Sequence, residues 1–438
     1  MKILLINEVC GVTSTGSICA DLAEYLMSRG HEVRVLYGRM DAPERCSGYG
    51  VRIAGKYEVA LNALEARLFD NCGLAGGIVG RHGSGVGGTG RAIEFIREFE
   101  PDVVHLHNLH GYYINYKLLF EELARLQVPV IQTLHDCWAL TGHCAYFDNA
   151  GCDKWKTGCG NCPQKGEYPK SILLDRSKRN LEEKVRAYGL LKNLRFVVPS
   201  KWLGEIVEES RVGRSVGSTV AAEVRVDASG AGASSAVGST GNVVVIPNGI
   251  DSEVFAPREG NYFARKGITD KKVVLGVASL WEPRKGLDYF IELASRLPDE
   301  YRIVLVGVRD EQKKLLPANI STIARTFDRK ELASIYSSAY VYLNPTLEDN
   351  YPTTNLEAIC CGTPVITFDT GGSPESAQAY GIVCEKSVNA ILEAIDKVES
   401  LYDSALPAGG LEAIREQFSS RVMFARYETL YCNGVRPH

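Results

Sequence analysis

The stretch EDNYPTTNLEAICCGTP, residues 348–364, decides how the chain is read. It lies between YVYLNP (340–345) and PVITFD (364–369), two continuous runs of β-branched and aromatic residues that read as buried strands. Between them Pro352 suits a first helical turn. Leu356, Ile359 and Cys360 form one apolar face, and Gly362 with Pro364 ends the helix. Strand, helix, strand is the repeating unit of a parallel sheet. The helix start leaves the backbone N–H groups of Thr353, Thr354 and Asn355 without intrahelical partners. That end carries about half a positive charge and suits a phosphate. Asp349 precedes it, and Glu357 lies about 6 Å further along the axis, its side chain leaning back toward the helix start. Carboxylates accept well from paired sugar hydroxyls, so the pattern suits a sugar–diphosphate–ribose molecule. Taken without its neighbours, Asp349 reads more readily as a helix cap and Glu357 as a solvated helical residue.

The same alternation extends outward in both directions. KILLIN (2–7) leads to a helix around 16–29 with Ile18, Leu22, Tyr25 and Leu26 on one face, closed by Gly30. EVRVLYG, DVVHLH (102–107), a helix near 115–126, VPVIQTLHD (128–136) and LRFVVPS (194–200) follow. Beyond about residue 245 the series restarts with KKVVLGVAS (271–279), a helix from Gly286, YRIVLVGV (301–308) and a helix near 330–339. It ends with the opening stretch and GIVCE (381–385). Two such series predict an α/β protein of two Rossmann-like parallel-sheet domains facing each other across a cleft. The expected first domain spans 1–212, with a Cys-rich loop at 137–165. The second spans 243–410, and 411–438 forms a C-terminal crossover helix. Residues 213–242, rich in Gly, Ala and Ser and without aromatic anchors, read as a low-complexity insertion. The patch 73–90 contains Gly85-x-Gly87-x-x-Gly90, but no strand precedes it, which argues against a dinucleotide fingerprint.

At 438 residues the chain exceeds one ordinary core and suits two domains. Its 45% apolar and 23% charged residues are those of a soluble globular protein. A net charge of −4 lacks the basic excess of a nucleic-acid binder. No apolar run approaches the roughly 20 residues of a membrane span. MKILLIN, followed at once by Glu8, reads as a first strand and not as a signal peptide, so a cytoplasmic setting is expected. In such a setting thirteen cysteines point to burial or metal binding before disulfides.

With these patterns in place, the chain resembles the retaining glycosyltransferases of family GT4, which have the GT-B fold. Asp349-x7-Glu357 has the spacing of the family's E-x7-E region, with Asp in the first position. GSICADLAEYLMSRGHEV (16–33) resembles the family's first helix, and PDVVHLHN and TLHD its two histidine-bearing strand ends. VVPSKWL and VIPNGIDSEVF resemble the passage between domains. ASLWEPRKGLDYFIELA resembles the basic motif opening the second domain, and GTPVITFDTGGSPE the end of the donor site. The resemblance implies retaining transfer from a nucleoside-diphosphate sugar to a hydroxyl acceptor, with no cofactor for catalysis, in surface polysaccharide or glycolipid biosynthesis. It implies that Glu357 binds the donor ribose and Asp349 a hydroxyl of the transferred sugar. Lys285, with Arg284, would neutralise the leaving diphosphate, and His135 would touch the donor sugar near the reacting carbon. Thr353, Thr354, Asn355 and Gly16 would bring backbone close to the donor. Six residues before Lys285, where the family has Arg, this chain has Ser279, and Arg284 is expected to compensate. No D-x-D occurs, which fits charge stabilisation by fixed cations and a helix end. His105 reads as a buried strand residue, while His107 and His110 would line the acceptor side.

The segment 135–165 concentrates Cys137, Cys144, Cys152, Cys159 and Cys162 with His143. Cys159-x-x-Cys162 has zinc-knuckle spacing, and Cys144 and Cys152 would complete a four-thiolate structural zinc site. An iron–sulfur cluster and unligated or redox thiols are the alternatives. Cys360 and Cys361 read as core. Residues 153–192 hold ten Lys/Arg against five Asp/Glu. That is either a solvated face or a surface for anionic lipid or a lipid-pyrophosphate acceptor, peripheral to the inner face of a membrane. The expected partners are a nucleoside-diphosphate sugar and a glycan or lipid-linked acceptor, with no nucleic acid. Two rivals stand beside this reading. A GT-B nucleotide-sugar epimerase would need catalytic acids and bases in place of an acceptor groove. A catalytically silent metal-binding or redox protein would depend on its cysteines and not on Glu357.

Overall fold

The computed structural model describes residues 1–71, 73, 87–220, 241–326, 328–403 and 410–434. Most of the expected insertion (221–240) and of the Gly-rich patch (72, 74–86) lies outside the described residues. The chain divides into two compact units, Met1–Ile246 with Phe424–His438, and Pro247–Met423.

The first unit is built on β1 (Lys2–Asn7), β2 (Glu32–Tyr37), β3 (Gly50–Arg52), β4 (Val103–Leu106), β5 (Val130–Thr133), β6 (Leu194–Val198) and β7 (Val243–Val245). Their spatial order is 3-2-1-4-5-6-7, and every pairing is parallel. The second unit carries β8 (Lys272–Val277), β9 (Tyr301–Val306), β10 (Ile320–Ile323), β11 (Val341–Asn344), β12 (Val365–Phe368) and β13 (Gly381–Cys384). Their order is 10-9-8-11-12-13, again all parallel. β7 pairs with β6, so the first unit runs to Ile246 and the second begins at Pro247. The C-terminal segment forms two helices, Gly410–Gln417 and Ser420–Gly434. In the first unit Tyr427 and Tyr431 reach back to the sheet, their hydroxyls 2.9 Å from Thr133 Oγ1 and 2.7 Å from His105 Nδ1.

Parallel strands are apolar on both sides because helices cover both faces. In the second sheet Leu275, Val304, Tyr342 and Val365 pack with Tyr336, Leu356 and Ile359 on one side. Their sequence neighbours Val274, Leu305, Leu343 and Ile366 pack with Phe290, Leu293 and Ile391 on the other. Each such side chain contributes roughly 1.5–3 kcal/mol when fully buried. In the first helix, Thr13–Ser28, the buried face is Cys19, Leu22, Ala23 and Leu26, with Ile18 and Tyr25 at its margins.

Both strand orders reverse at one place, between β1 and β4 and between β8 and β11. Ligands of open parallel sheets bind at the carboxyl ends of the strands on either side of such a reversal. The residues following β1 and β4, and those following β8 and β11, are therefore where each unit can take a ligand.

Candidate active site

In the second unit the chain leaving β8 makes a short helical turn, Pro283–Lys285, that ends on Gly286 at φ 72°. A Cβ on Gly286 would stand 2.2 Å from the Pro345 carbonyl oxygen. Only glycine allows both that backbone angle and that approach, and the approach brings the loop after β8 against the loop after β11. The Leu347 N–H donates to the Arg284 carbonyl at 2.7 Å, and Arg284 Nη1 donates to the Glu348 carbonyl at 3.4 Å. Held this way, Lys285 Nζ meets Asp349 Oδ2 at 2.8 Å, both side chains partly buried. Arg284 Nε bonds Glu282 Oε2 at 3.1 Å. Two residues expected to serve different parts of a ligand are thus partners of each other.

The helix Thr353–Cys360 begins after Pro352 with no side-chain cap. Asp349 is engaged by Lys285 instead of capping it. Asn355 corrects the sequence reading. Its N–H bonds the Pro352 carbonyl at 3.2 Å. Its buried side chain accepts from Asn344 Nδ2 at 2.8 Å and donates to Ser376 Oγ at 2.8 Å. Asn355 ties the helix to β11 and to the next helix, so the tip left for a ligand is Thr353 and Thr354. Glu357, one turn on, is partly buried and accepts from the Tyr336 hydroxyl at 3.1 Å. Burial pushes its carboxyl up to about 7, against the Tyr336 hydroxyl and the Arg329 charge, which pull it down. It is not a solvated surface residue. Cys360 and Cys361 are core, as expected.

In the first unit the corresponding strand ends carry histidines. His105 is buried in β4, its ring nitrogens 2.7 Å from Tyr431 OH and 2.8 Å from Thr133 Oγ1. His107 Nδ1 lies 2.9 Å from His135 Nε2, with the rings stacked. Burial drives His105 to about 3, His107 well below its usual value and His135 to about 4, so all three are neutral imidazoles at pH 7. His110 differs. Its Nε2 is 2.9 Å from Asp136 Oδ2 and its Nδ1 is 2.9 Å from Tyr168 OH, with Glu8 Oε2 at 3.6 Å. Arg39 in turn bonds Glu8 at 2.5 Å. Burial lowers the His110 imidazole, but the Asp136 and Glu8 carboxylates outweigh it and hold it above its ordinary value. Burial would raise Asp136, but His110 and the Trp138 N–H hold it low.

Sequence reasoning missed Glu8, Arg39, Asp136 and Tyr168 as members of this cluster. The available signal was that Glu8 directly follows β1 and Asp136 closely follows β5. Gly16, expected to bring backbone close to the donor, has a packing role in the structure. It lies buried inside the first helix, where a Cβ would stand 2.8 Å from Val9 Cγ2, and it seats that helix on the loop after β1. The free thiols of Cys144, Cys152, Cys159 and Cys162 line one cavity of about 10 Å³ together with His143 and Trp155. Among the described residues no group of three or more His, Cys, Asp or Glu side chains is placed to hold a metal ion.

Two doubly wound parallel sheets, with an uncapped helix tip and a lysine–carboxylate pair beside the reversal of the second, define a protein of the GT-B architecture. Residues 15–215 match Glycosyltransferase Family 4 and residues 271–400 match Glycosyl transferases group 1, together more than half of the chain. The chain belongs to the family 4 glycosyltransferases. A protein of Escherichia coli (strain K12) named as a colanic acid biosynthesis glycosyl transferase, WcaC, is 25% identical over 349 residues, covering 76% of each chain. Sucrose-phosphate synthase (tll1590) from Thermosynechococcus elongatus shares the fold at TM-score 0.62 and 16% identity, over 99% of this chain and 98% of that one. Anabaena Alr3699/HepE in complex with UDP-glucose does so at TM-score 0.61 and 14% identity, over 98% and 99%.

Proposed function

We propose that the chain moves a sugar from a nucleoside-diphosphate sugar to a hydroxyl of a glycan or lipid-linked acceptor. The transfer retains the anomeric configuration, uses no catalytic metal, and serves surface polysaccharide or glycolipid synthesis. The observation that carries this reading is the second-unit constellation of Thr353–Thr354 at an uncapped helix tip, Lys285 on Asp349, and Glu357 one turn along. The relative named for colanic acid biosynthesis and the fold relative holding UDP-glucose support the class of product and of donor.

In this reading the donor diphosphate rests on the N–H groups of Thr353 and Thr354 and draws Lys285 from Asp349. Asp349 is then released to accept a hydroxyl of the transferred sugar. The charge that develops on the departing diphosphate is met by Lys285, Arg284 and the helix end, all in place before the reaction. Glu357, as carboxylate, accepts both ribose hydroxyls. On the first unit the His110–Asp136–Tyr168 cluster is the group offered to an acceptor. No side-chain nucleophile is needed.

A lipid-linked acceptor agrees with the surface of the first unit. Tyr57, Leu61 and Leu64 recur at helical spacing on the helix Lys56–Phe69, and all three are exposed. Beside them Ile172, Leu173 and Leu174 are also exposed, their segment bonded to the end of that helix through Ile172 N–H to the Arg67 carbonyl at 2.6 Å. Apolar side chains flanked by the Lys/Arg excess of 153–192 suit an anionic lipid surface. No described helix is long and apolar enough to cross a membrane.

The test is to supply nucleoside-diphosphate sugars and lipid-linked or free glycan acceptors, and to read the anomeric coupling of the product by NMR. Retention with stoichiometric nucleoside diphosphate release is expected. Inversion overturns the mechanism, and conversion of donor to another sugar without acceptor would mark an epimerase.

A further inference from the structure

We propose that the loop after β5 holds one structural zinc ion, bound by the thiolates of Cys144, Cys152, Cys159 and Cys162. Between Thr133 and the helix Ser177–Tyr188 the chain has no strand or α-helix, only the short turns Trp138–Leu140 and Lys154–Lys156. A stretch that long without regular structure needs something to organise it. What it offers is four thiols around one cavity. At about 10 Å³ that cavity is near the least that holds a single water. That suits a single small ion. An all-sulfur set selects zinc over hard cations such as magnesium or calcium.

Two further contacts point to a ligand. The Gly142 N–H donates to Cys159 Sγ at 3.3 Å. His143 lines the same cavity and is 2% exposed. Its Nδ1 donates to Asp70 Oδ1 at 2.5 Å, and Asp70 Oδ2 accepts the Arg176 N–H at 2.7 Å. The ring is therefore fixed by a carboxylate while its other nitrogen, Nε2, is buried with no partner. Buried polar atoms left in this state are rare. A metal-ligating imidazole is typically oriented by such a carboxylate, so His143 is the rival to Cys152 for the fourth position, which the variants below separate. As they stand, no three of these side chains, nor any other three His, Cys, Asp or Glu among the described residues, are placed to hold a metal ion, so binding requires the thiols to reorient. Each cysteine turns about a single side-chain bond, and zinc would gather the four at about 2.3 Å, releasing their thiol protons to solvent.

The position gives the ion a consequence. The segment it would pin carries Asp136 at one end and Tyr168 at the other, the two side chains that hold His110. Zinc would set the orientation of that histidine without touching it. The metal site itself does not depend on the reading of His110 as an acceptor group.

The test is elemental analysis of the full chain, expressed with zinc and purified without metal-affinity resin, alongside the spectrum of the cobalt-substituted protein. One zinc per chain is expected. Cobalt should give the intense near-ultraviolet sulfur-to-metal bands of a tetrathiolate. Cys159→Ser and Cys162→Ser should each hold less than about a tenth of the zinc, and His143→Ala should keep all of it. Less than about a tenth of an equivalent in folded wild-type chain overturns the proposal, as does iron with sulfide in its place. Zinc lost in His143→Ala but kept in Cys152→Ser overturns the four-thiolate assignment. Should the cysteine variants fail to fold, the wild-type stoichiometry and cobalt spectrum still decide.

Discussion

Replacing Glu357 by Gln separates the part this carboxyl plays in stability from its part in binding. Its folded-state pKa is raised from 4.5 to about 7, chiefly by burial. The folded chain therefore holds this proton more tightly than the unfolded chain does. Below about pH 4.5 both states are protonated and the group makes no difference. As pH rises from about 4.5 to about 7 the unfolded state ionises while the folded state still holds its proton, so the folded state is progressively destabilised, and above about 7 both are ionised and the loss is complete. At about 1.4 kcal/mol per unit, a shift of about 2.5 units costs the second unit about 3 kcal/mol well above pH 7. Gln keeps an oxygen for the Tyr336 hydroxyl and has no charge to desolvate. Glu357→Gln should match wild type near pH 5 and exceed it by up to about 3 kcal/mol at pH 8.5. Urea unfolding at pH 5, 7 and 8.5, followed by hydrogen exchange in peptides of the second unit, measures this. Parallel pH profiles for the two proteins, or a variant less stable at pH 8.5, would refute the argument that a buried carboxyl is held there against stability.

Gly286→Ala forces a left-handed backbone that costs about 1–2 kcal/mol and drives a methyl against the Pro345 carbonyl. We expect a lower urea midpoint for the second unit and weakened donor binding, and wild-type values for both would show the two loops are not held by this contact. Asp136→Asn removes the nearer carboxylate that holds His110 up, so the His110 titration followed by NMR should move to lower pH; an unchanged titration would assign the shift to Glu8. Leu61→Glu combined with Leu173→Glu should reduce co-sedimentation with anionic phospholipid vesicles several-fold while leaving nucleotide binding unaltered. Equal sedimentation would remove this face as a lipid contact.

Most of the sheet architecture was legible because parallel strands buried on both faces are written as unbroken apolar runs, as in KILLIN and YRIVLVGV. The elements overlooked are those whose run is short or interrupted by polar residues. β3 and β7 have three residues each, and β10 carries Ser321 and Thr322 in its middle. The spacing of Asp349, Glu357 and the helix start was likewise visible, since one helix fixes it. What that helix meets was not. Asn355 looked like a tip residue because Asn344, Ser373 and Ser376 reach it only through the fold. The burial of Glu357 depends on Tyr336, from another helix. The pairing of Lys285 with Asp349 depends on two loops meeting at Gly286. Tyr168 reaches His110 from an irregular segment with no periodicity to read.

The central claim is that Glu357, as carboxylate, holds the ribose of a nucleoside-diphosphate sugar. Calorimetric titration of wild type and Glu357→Gln with UDP-, GDP-, ADP- and TDP-sugars at pH 6 and pH 8 tests it most directly. With a pKa of about 7 the carboxylate population rises roughly tenfold between those values. One nucleotide class should therefore bind wild type roughly tenfold more tightly at pH 8, and the variant should bind it weakly at both. Binding to none of the four, or tight binding by Glu357→Gln with no dependence on pH, would contradict the account.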